Sequence, residues 1–177
     1  MRTIVLGLGN PILCDDSVGI HVARRVRETF AGSGGIDQVE VHEVYAGGIR
    51  LIDVLSGFDR AILVDAMLTG QRPPGSWTSF FMDDDGPAEF MPSLRNVSST
   101  HDINLPTALE LGRMLGMPMP EEVRVWGVEA QNVESFSETP TELVARAVAP
   151  VAAEVAFYAG GPRSRVPGAP AAPQEVS

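Results

Sequence analysis

Two adjacent carboxylates, Asp15 and Asp16, follow the glycine-rich turn Gly7-Leu8-Gly9-Asn10-Pro11 and stand just ahead of a helical pattern. The apolar run 3–8 before that turn reads as a strand, so the acids fall at a strand's carboxyl end, where open α/β sheets place their ligands. A turn needs the glycines but not both acids. One acid can cap backbone amides and complement the helix dipole, worth ~1 kcal/mol, a task that Ser17 could share. The second, Asp16, is left to face the crevice. Asp65 ends a second hydrophobic run, Ala61-Ile62-Leu63-Val64, and could lie beside Asp16 if both strands are central. His101 precedes a helical segment in an irregular stretch, Ser98-Ser99-Thr100-His101-Asp102. Each of the three has an ordinary reading: a helix cap, a residue that starts a turn, a surface histidine. Together, two carboxylates and an imidazole form a donor set for a borderline divalent metal, with positions left open to water or substrate.

Other chemistries fit less well. The opening glycines invite comparison with a dinucleotide fingerprint, but Ile12 stands where the third glycine belongs. Pro11 removes an amide that could meet a phosphate, and two aspartates would repel a pyrophosphate. Cys14 is the one cysteine, and a nucleophilic role would require a paired histidine or basic setting that the sequence does not supply; it reads as packed. His21, on the helix after the acids, and His42, mid-strand, read as structural or surface residues.

The elements that must hold Asp16 and Asp65 are legible as patterns. The run 3–8 is continuous rather than alternating, as in a strand buried on both faces of a parallel sheet. Over 17–30, Val18, Val22, Val26 and Phe30 recur every fourth residue opposite most of the charges, an amphipathic helix that Gly32-Ser33-Gly34-Gly35 ends. A strand is expected over 39–45. A short helical segment opened by Gly47-Gly48 follows, with Ile49, Ile52 and Leu55 on one face. Strands are expected over 61–64, stopping at Asp65, over 76–81 near an edge, and over 123–128. A helix is expected over 105–115, with Leu105, Leu109 and Leu111 as core positions. Thr139-Pro140-Thr141-Glu142 resembles a capping box with proline at the first helical position, opening a long Ala/Val-rich helix that Pro150 should bend. The acidic Asp83-Asp84-Asp85 run reads as a solvated loop. Strands alternating with helices imply an α/β fold: one three-layer, doubly wound domain over 1–159, whose mostly parallel five-stranded sheet is covered on both faces and has room for one antiparallel edge. The Pro-, Gly-, Ala- and Ser-rich stretch 160–177 reads as a disordered tail.

Bulk properties narrow the class. The 177 residues are 44% hydrophobic, enough for an ordinary core. A net charge of −10 argues against nucleic-acid binding, which relies on Lys and Arg. The longest apolar runs fall short of a membrane span, and a lone cysteine with no secretory signal makes a cytoplasmic setting the default expectation.

The segment Gly7-Leu8-Gly9-Asn10-Pro11-Ile12-Leu13-Cys14-Asp15-Asp16-Ser17-Val18-Gly19, the Gly47-Gly48 pair, Leu63-Val64-Asp65-Ala66 and His101 together resemble the NiFe-hydrogenase maturation proteases, in register over about residues 1 to 155. The resemblance places the family's acidic ligands on Asp16 and Asp65 and its histidine on His101. Ala130 stands where proline is commoner and Ser17 where glycine is usual; neither is one of those ligand positions. What the resemblance implies is an endopeptidase that removes a short C-terminal extension from a hydrogenase large-subunit precursor after that precursor has received nickel. Ni(2+) is then supplied by the substrate precursor, a monomer is the simplest state, and Asp16, Asp65 and His101 are both metal-contacting and catalytic. Two rivals remain at this level. Peptidyl-tRNA hydrolases share Gly7-Leu8-Gly9-Asn10-Pro11 but need a histidine–asparagine pair soon after it, which this chain lacks, and an acidic chain is a poor RNA binder. A maturation chaperone that grips the nickel-bearing precursor without cutting it would share the acids.

Overall fold

The computed structural model describes residues 1–32, 38–45, 49–82 and 105–161. Five strands, β1 (Thr3–Leu8), β2 (Val39–Val44), β3 (Arg60–Met67), β4 (Trp77–Phe81) and β5 (Glu122–Glu129), form one sheet in the order β2-β1-β3-β5-β4. All neighbours are parallel except β4, which runs antiparallel to β5 at one edge. Helices α1 (Val18–Gly32), α2 (Arg50–Leu55), α3 (Leu105–Met114) and α4 (Glu142–Gly160) cover it. The three-layer, doubly wound α/β arrangement read from the sequence is the one observed, antiparallel edge included.

Strand alternation sorts the core into two halves. Val5, Ile62, Val64, Trp126 and Val128 face α1 and α4, where they meet Val18, Val22, Val26, Val144, Val151 and Val155. Ile4, Leu6, Ala61, Leu63, Val123 and Val125 face α2 and α3, where they meet Leu51, Ile52, Leu55, Leu105 and Leu109. Leu111, expected in the core, is only partly buried against this second half.

Several boundaries depart from expectation for identifiable reasons. β3 does not stop at Asp65: its ladder with β5 runs on through Asp65↔Gly127, Ala66↔Val128 and Met67↔Glu129, so Asp65 sits inside the strand. β3 and β5 also begin one residue early, at Arg60 and Glu122, because both charged residues are buried. The Arg60 guanidinium donates to Thr3 Oγ1 and to the carbonyl oxygens of Ala159 and Gly161, while the Tyr158 hydroxyl donates to Glu122 at 2.7 Å. Together they fasten the end of α4 beneath the sheet. The expected capping box does not form. Thr141, not Thr139, is the cap of α4, so Pro140 lies ahead of the helix rather than at its first position, and Glu142 pairs instead with Arg146 one turn on. α4 is long and apolar enough to cross a membrane by length and composition, although the sequence reading found no such span. Its apolar content is that of a core helix, with Val144, Ala147, Val151 and Val155 buried against the sheet and both oxygens of Glu154 accepting the indole N–H groups of Trp77 and Trp126. The Ser33-Gly34-Gly35 stretch that follows α1, Gly47-Gly48, the 83–85 acidic run, His101 and tail residues 162–177 lie outside the described residues.

Candidate active site at the carboxyl end of the sheet

β1 connects through α1 to β2 on one side, and the chain then crosses to β3 on the other, so the carboxyl ends of β1 and β3 form the switch point of the sheet. Asp16 comes from a single 3-10 turn, Cys14–Ser17, wedged between β1 and α1. Asp65 is the first β3 residue beyond the β1 ladder, whose last pair is Gly7↔Val64. Its β1 side is therefore open although its β5 side is paired.

Two glycines make the approach of Asp16 possible. Gly9 has φ 131°, and a Cβ there would fall 1.8 Å from the Asp16 carbonyl oxygen. Gly19, at the start of α1, lies so close to the strand ends that a Cβ would fall 2.3 Å from the carbonyl oxygens of both Leu8 and Val64. Backbone packed on backbone brings the turn down onto β1 and β3 together.

Four acids gather near this edge and divide into two kinds. Asp15 is fully buried. Its Oδ1 accepts the Thr141 N–H at 2.6 Å, and its Oδ2 accepts the N–H groups of Gln131 and Asn132, each at 2.9 Å, and the Thr141 hydroxyl at 3.0 Å. Glu129, also buried, accepts the N–H groups of Thr69 and Gly70 and the Thr69 hydroxyl. These two carboxylates are consumed in holding loops. Among the described residues, Asp16 and Asp65 each accept a single N–H, from Asn10 at 2.8 Å and from Ala66 at 2.9 Å, and neither forms an ion pair. Both are partly exposed. Acceptor capacity is thus left unspent where ligands bind.

Their electrostatics agree. Burial raises the Asp16 carboxyl above its usual range, partly offset by the Asn10 N–H. Asp65 is pushed up to about 7, first by burial and then by the negative charge of Asp16, against the Ala66 N–H. The Asp16 charge thus reaches Asp65 across the crevice. A cation seated between them would relieve both the repulsion and the burial cost, and a carboxyl that titrates near neutrality is suited to proton transfer.

The structure places Asp16 and Asp65 at the carboxyl ends of the adjacent strands β1 and β3, both inside the sheet as their continuous hydrophobicity suggested. His101 lies outside the described residues, and among those residues no three His, Cys, Asp or Glu side chains converge as a metal-binding group. Contrary to the expectation that one acid caps the helix, Asp15 binds segments more than a hundred residues away. Cys14 is buried, with its Sγ against Asp15 and the Thr139 carbonyl, in keeping with a packed thiol. His21 Nε2 lies 3.1 Å from the Glu138 carbonyl oxygen, and His42 pairs with Glu40 on the exposed face of β2; neither joins the site. Glu129 and Asn10 went unread in the sequence. A glutamate closing an apolar strand was the available signal for the first; a backbone donor such as Asn10 N–H carries none.

No family model matches the sequence. Individual proteins do. Over 142 residues, the chain is 28% identical to the hydrogenase 2 maturation protease of Escherichia coli strain K12, spanning 80% of this chain and 81% of that protein. The chain is thus similar to a hydrogenase maturation protease over four fifths of its length. It is also 26% identical over 155 residues to the hydrogenase expression/formation protein HupD of Rhizobium leguminosarum bv. viciae, covering 88% of this chain and 72% of that protein. The fold matches the hydrogenase maturating endopeptidase HybD from E. coli with a TM-score of 0.70 at 24% identity, over 88% of this chain and 90% of that one. The switch-point crevice holding Asp16 and Asp65 is the candidate active site.

Proposed function

We propose that the protein is an endopeptidase that removes the C-terminal extension of a nickel-loaded NiFe-hydrogenase large-subunit precursor, working as a cytoplasmic monomer. The observation that carries the proposal is the pair Asp16 and Asp65: neighbouring carboxyls with unspent acceptor capacity, each raised by burial, at the switch point of the sheet. Two carboxylates make an incomplete coordination shell, and His101 is the third donor proposed for it. Such a site suits a metal presented by a partner better than one scavenged free from solution. The precursor's Ni(2+), docked on Asp16, Asp65 and His101 beside the scissile bond, would act as a Lewis acid toward the peptide carbonyl or an attacking water. One of the two carboxylates takes the proton from that water; Asp65, poised near 7, is suited to the task.

His101→Ala separates this reading from one resting on the two acids alone. The variant is expected to lose processing by about 10²-fold or more, the scale of a lost catalytic contact, with an unchanged far-UV spectrum and melting curve. The same mixture, followed by intact mass, separates cutting from the chaperone alternative, in which the precursor is bound but keeps its mass. A fully active His101→Ala variant would remove the histidine from the site.

A further inference from the structure

Asp15 carries an assignment of its own. We infer that it is the positioning residue of the catalytic turn, fixing Asp16 in place by pegging that turn to the 131–141 segment. The inference rests on the reading of Asp16 as a catalytic ligand.

The turn cannot hold itself. It is one 3-10 turn of four residues, its cap residue Leu13 provides no side-chain hydrogen bond, and Cys14 sits in the left-handed region at φ 33°, which L residues avoid. Such a conformation persists only where the surroundings over-determine it. On one side the turn after β1 supplies the Gly9 contact and the Asn10 N–H. On the other, every described bond comes from the segment between β5 and α4. Cys14 N–H donates to the Ser137 carbonyl at 2.8 Å, Asp15 N–H to the Asn132 carbonyl at 2.9 Å, and Ser137 N–H back to Ile12 at 3.0 Å. The Asp15 carboxylate closes this side by taking three backbone N–H groups and the Thr141 hydroxyl. Its neighbour in sequence thereby inherits the rigidity of β5 and α4. Both oxygens face N–H donors, so an isosteric amide at residue 15 sets a donor against a donor whichever way it turns.

Asp15→Asn is expected to lower kcat for precursor processing by about 10²-fold, the cost of misplacing a reacting group by about an ångström, while precursor affinity stays unchanged. Should Asp15→Asn fail to fold, Thr141→Val tests the same peg by deleting only the hydroxyl. It should lose about tenfold in kcat per folded molecule, the scale of one hydrogen bond to a charged acceptor, and Thr141→Ser should restore the rate. Amide exchange gives a readout independent of cleavage: the Cys14 and Asp16 amides should exchange faster in Thr141→Val while core amides of β1 and β3 keep their protection. A merely structural role would lower the melting temperature and speed exchange throughout, leaving kcat per folded molecule at the wild-type value; that result overturns the inference. If the wild-type protein cuts no precursor, the proposed function fails, and the exchange pattern decides the positioning role by itself.

Discussion

Asp16→Asn is expected to abolish precursor processing, by about 10²- to 10⁴-fold, the range for losing a group that moves a proton or holds the reacting centre, and to leave the fold intact. The second half of this expectation follows from the bonding. Asp16 accepts one N–H, from Asn10, and the oxygen of an asparagine can accept it equally well. Burial already disfavours the charged form, so removing the charge relieves a cost rather than breaking a pair. The neighbouring carboxylate gives the contrast, since Asp15 accepts four donors and its amide variant is expected to disturb the turn. Steady-state processing together with thermal unfolding checks both halves. An Asp16→Asn variant that cuts at the wild-type rate, or that is unfolded, contradicts the division of the two acids.

Asp65→Asn is expected to produce an inactive protein that is more stable than the wild type at neutral and alkaline pH. The folded state holds the Asp65 proton up to about 7, whereas an exposed aspartate releases it near 3.8. Between those values the folded state binds more protons than the unfolded chain, so this group's contribution to stability falls as pH rises through the window and is at its most unfavourable above it. Because Asp65 is partly exposed, solvent screening reduces the effect, and a gain of about 1–2 kcal/mol at pH 8 is expected on replacing it. That corresponds to a rise in melting temperature of about 3–6 °C for a chain of this size. The difference between variant and wild type should shrink towards zero as pH falls to the unfolded value near 3.8 and below. Denaturant unfolding at pH 4, 6 and 8 measures it. A variant less stable than the wild type at pH 8, or a difference that does not change with pH, contradicts the account of Asp65 as an acid held against burial and a like charge. Stability gained while activity is lost is the signature of a residue retained for function.

The parts of this site legible in the sequence are those whose cause is local. The continuous apolar run gave β1 with both ends as observed, and the every-fourth-residue valines gave α1. The central place of the strands at 3–8 and 61–64 followed from their uninterrupted hydrophobicity, and with it the meeting of Asp16 and Asp65. What stayed hidden depends on partners far along the chain. Asp15 and Asp16 are the same residue type side by side; only the distant donors at 131, 132 and 141 make one a structural peg and leave the other open. Arg60 and Glu122 fell just outside the strands expected over 61–64 and 123–128, yet lie buried because α4 returns its last carbonyls and Tyr158 to meet them. Asp65 read as the end of its strand because local pattern cannot show that β5 continues pairing beside it after β1 has stopped.

The central claim is tested most directly by intact-mass spectrometry of a large-subunit precursor from the same genome, incubated with this protein with and without nickel loading. Loss of one discrete C-terminal peptide from the nickel-loaded precursor alone, absent with Asp16→Asn, is the predicted result. A precursor that binds stably but keeps its full mass in both states, or that is cut equally without nickel, contradicts it.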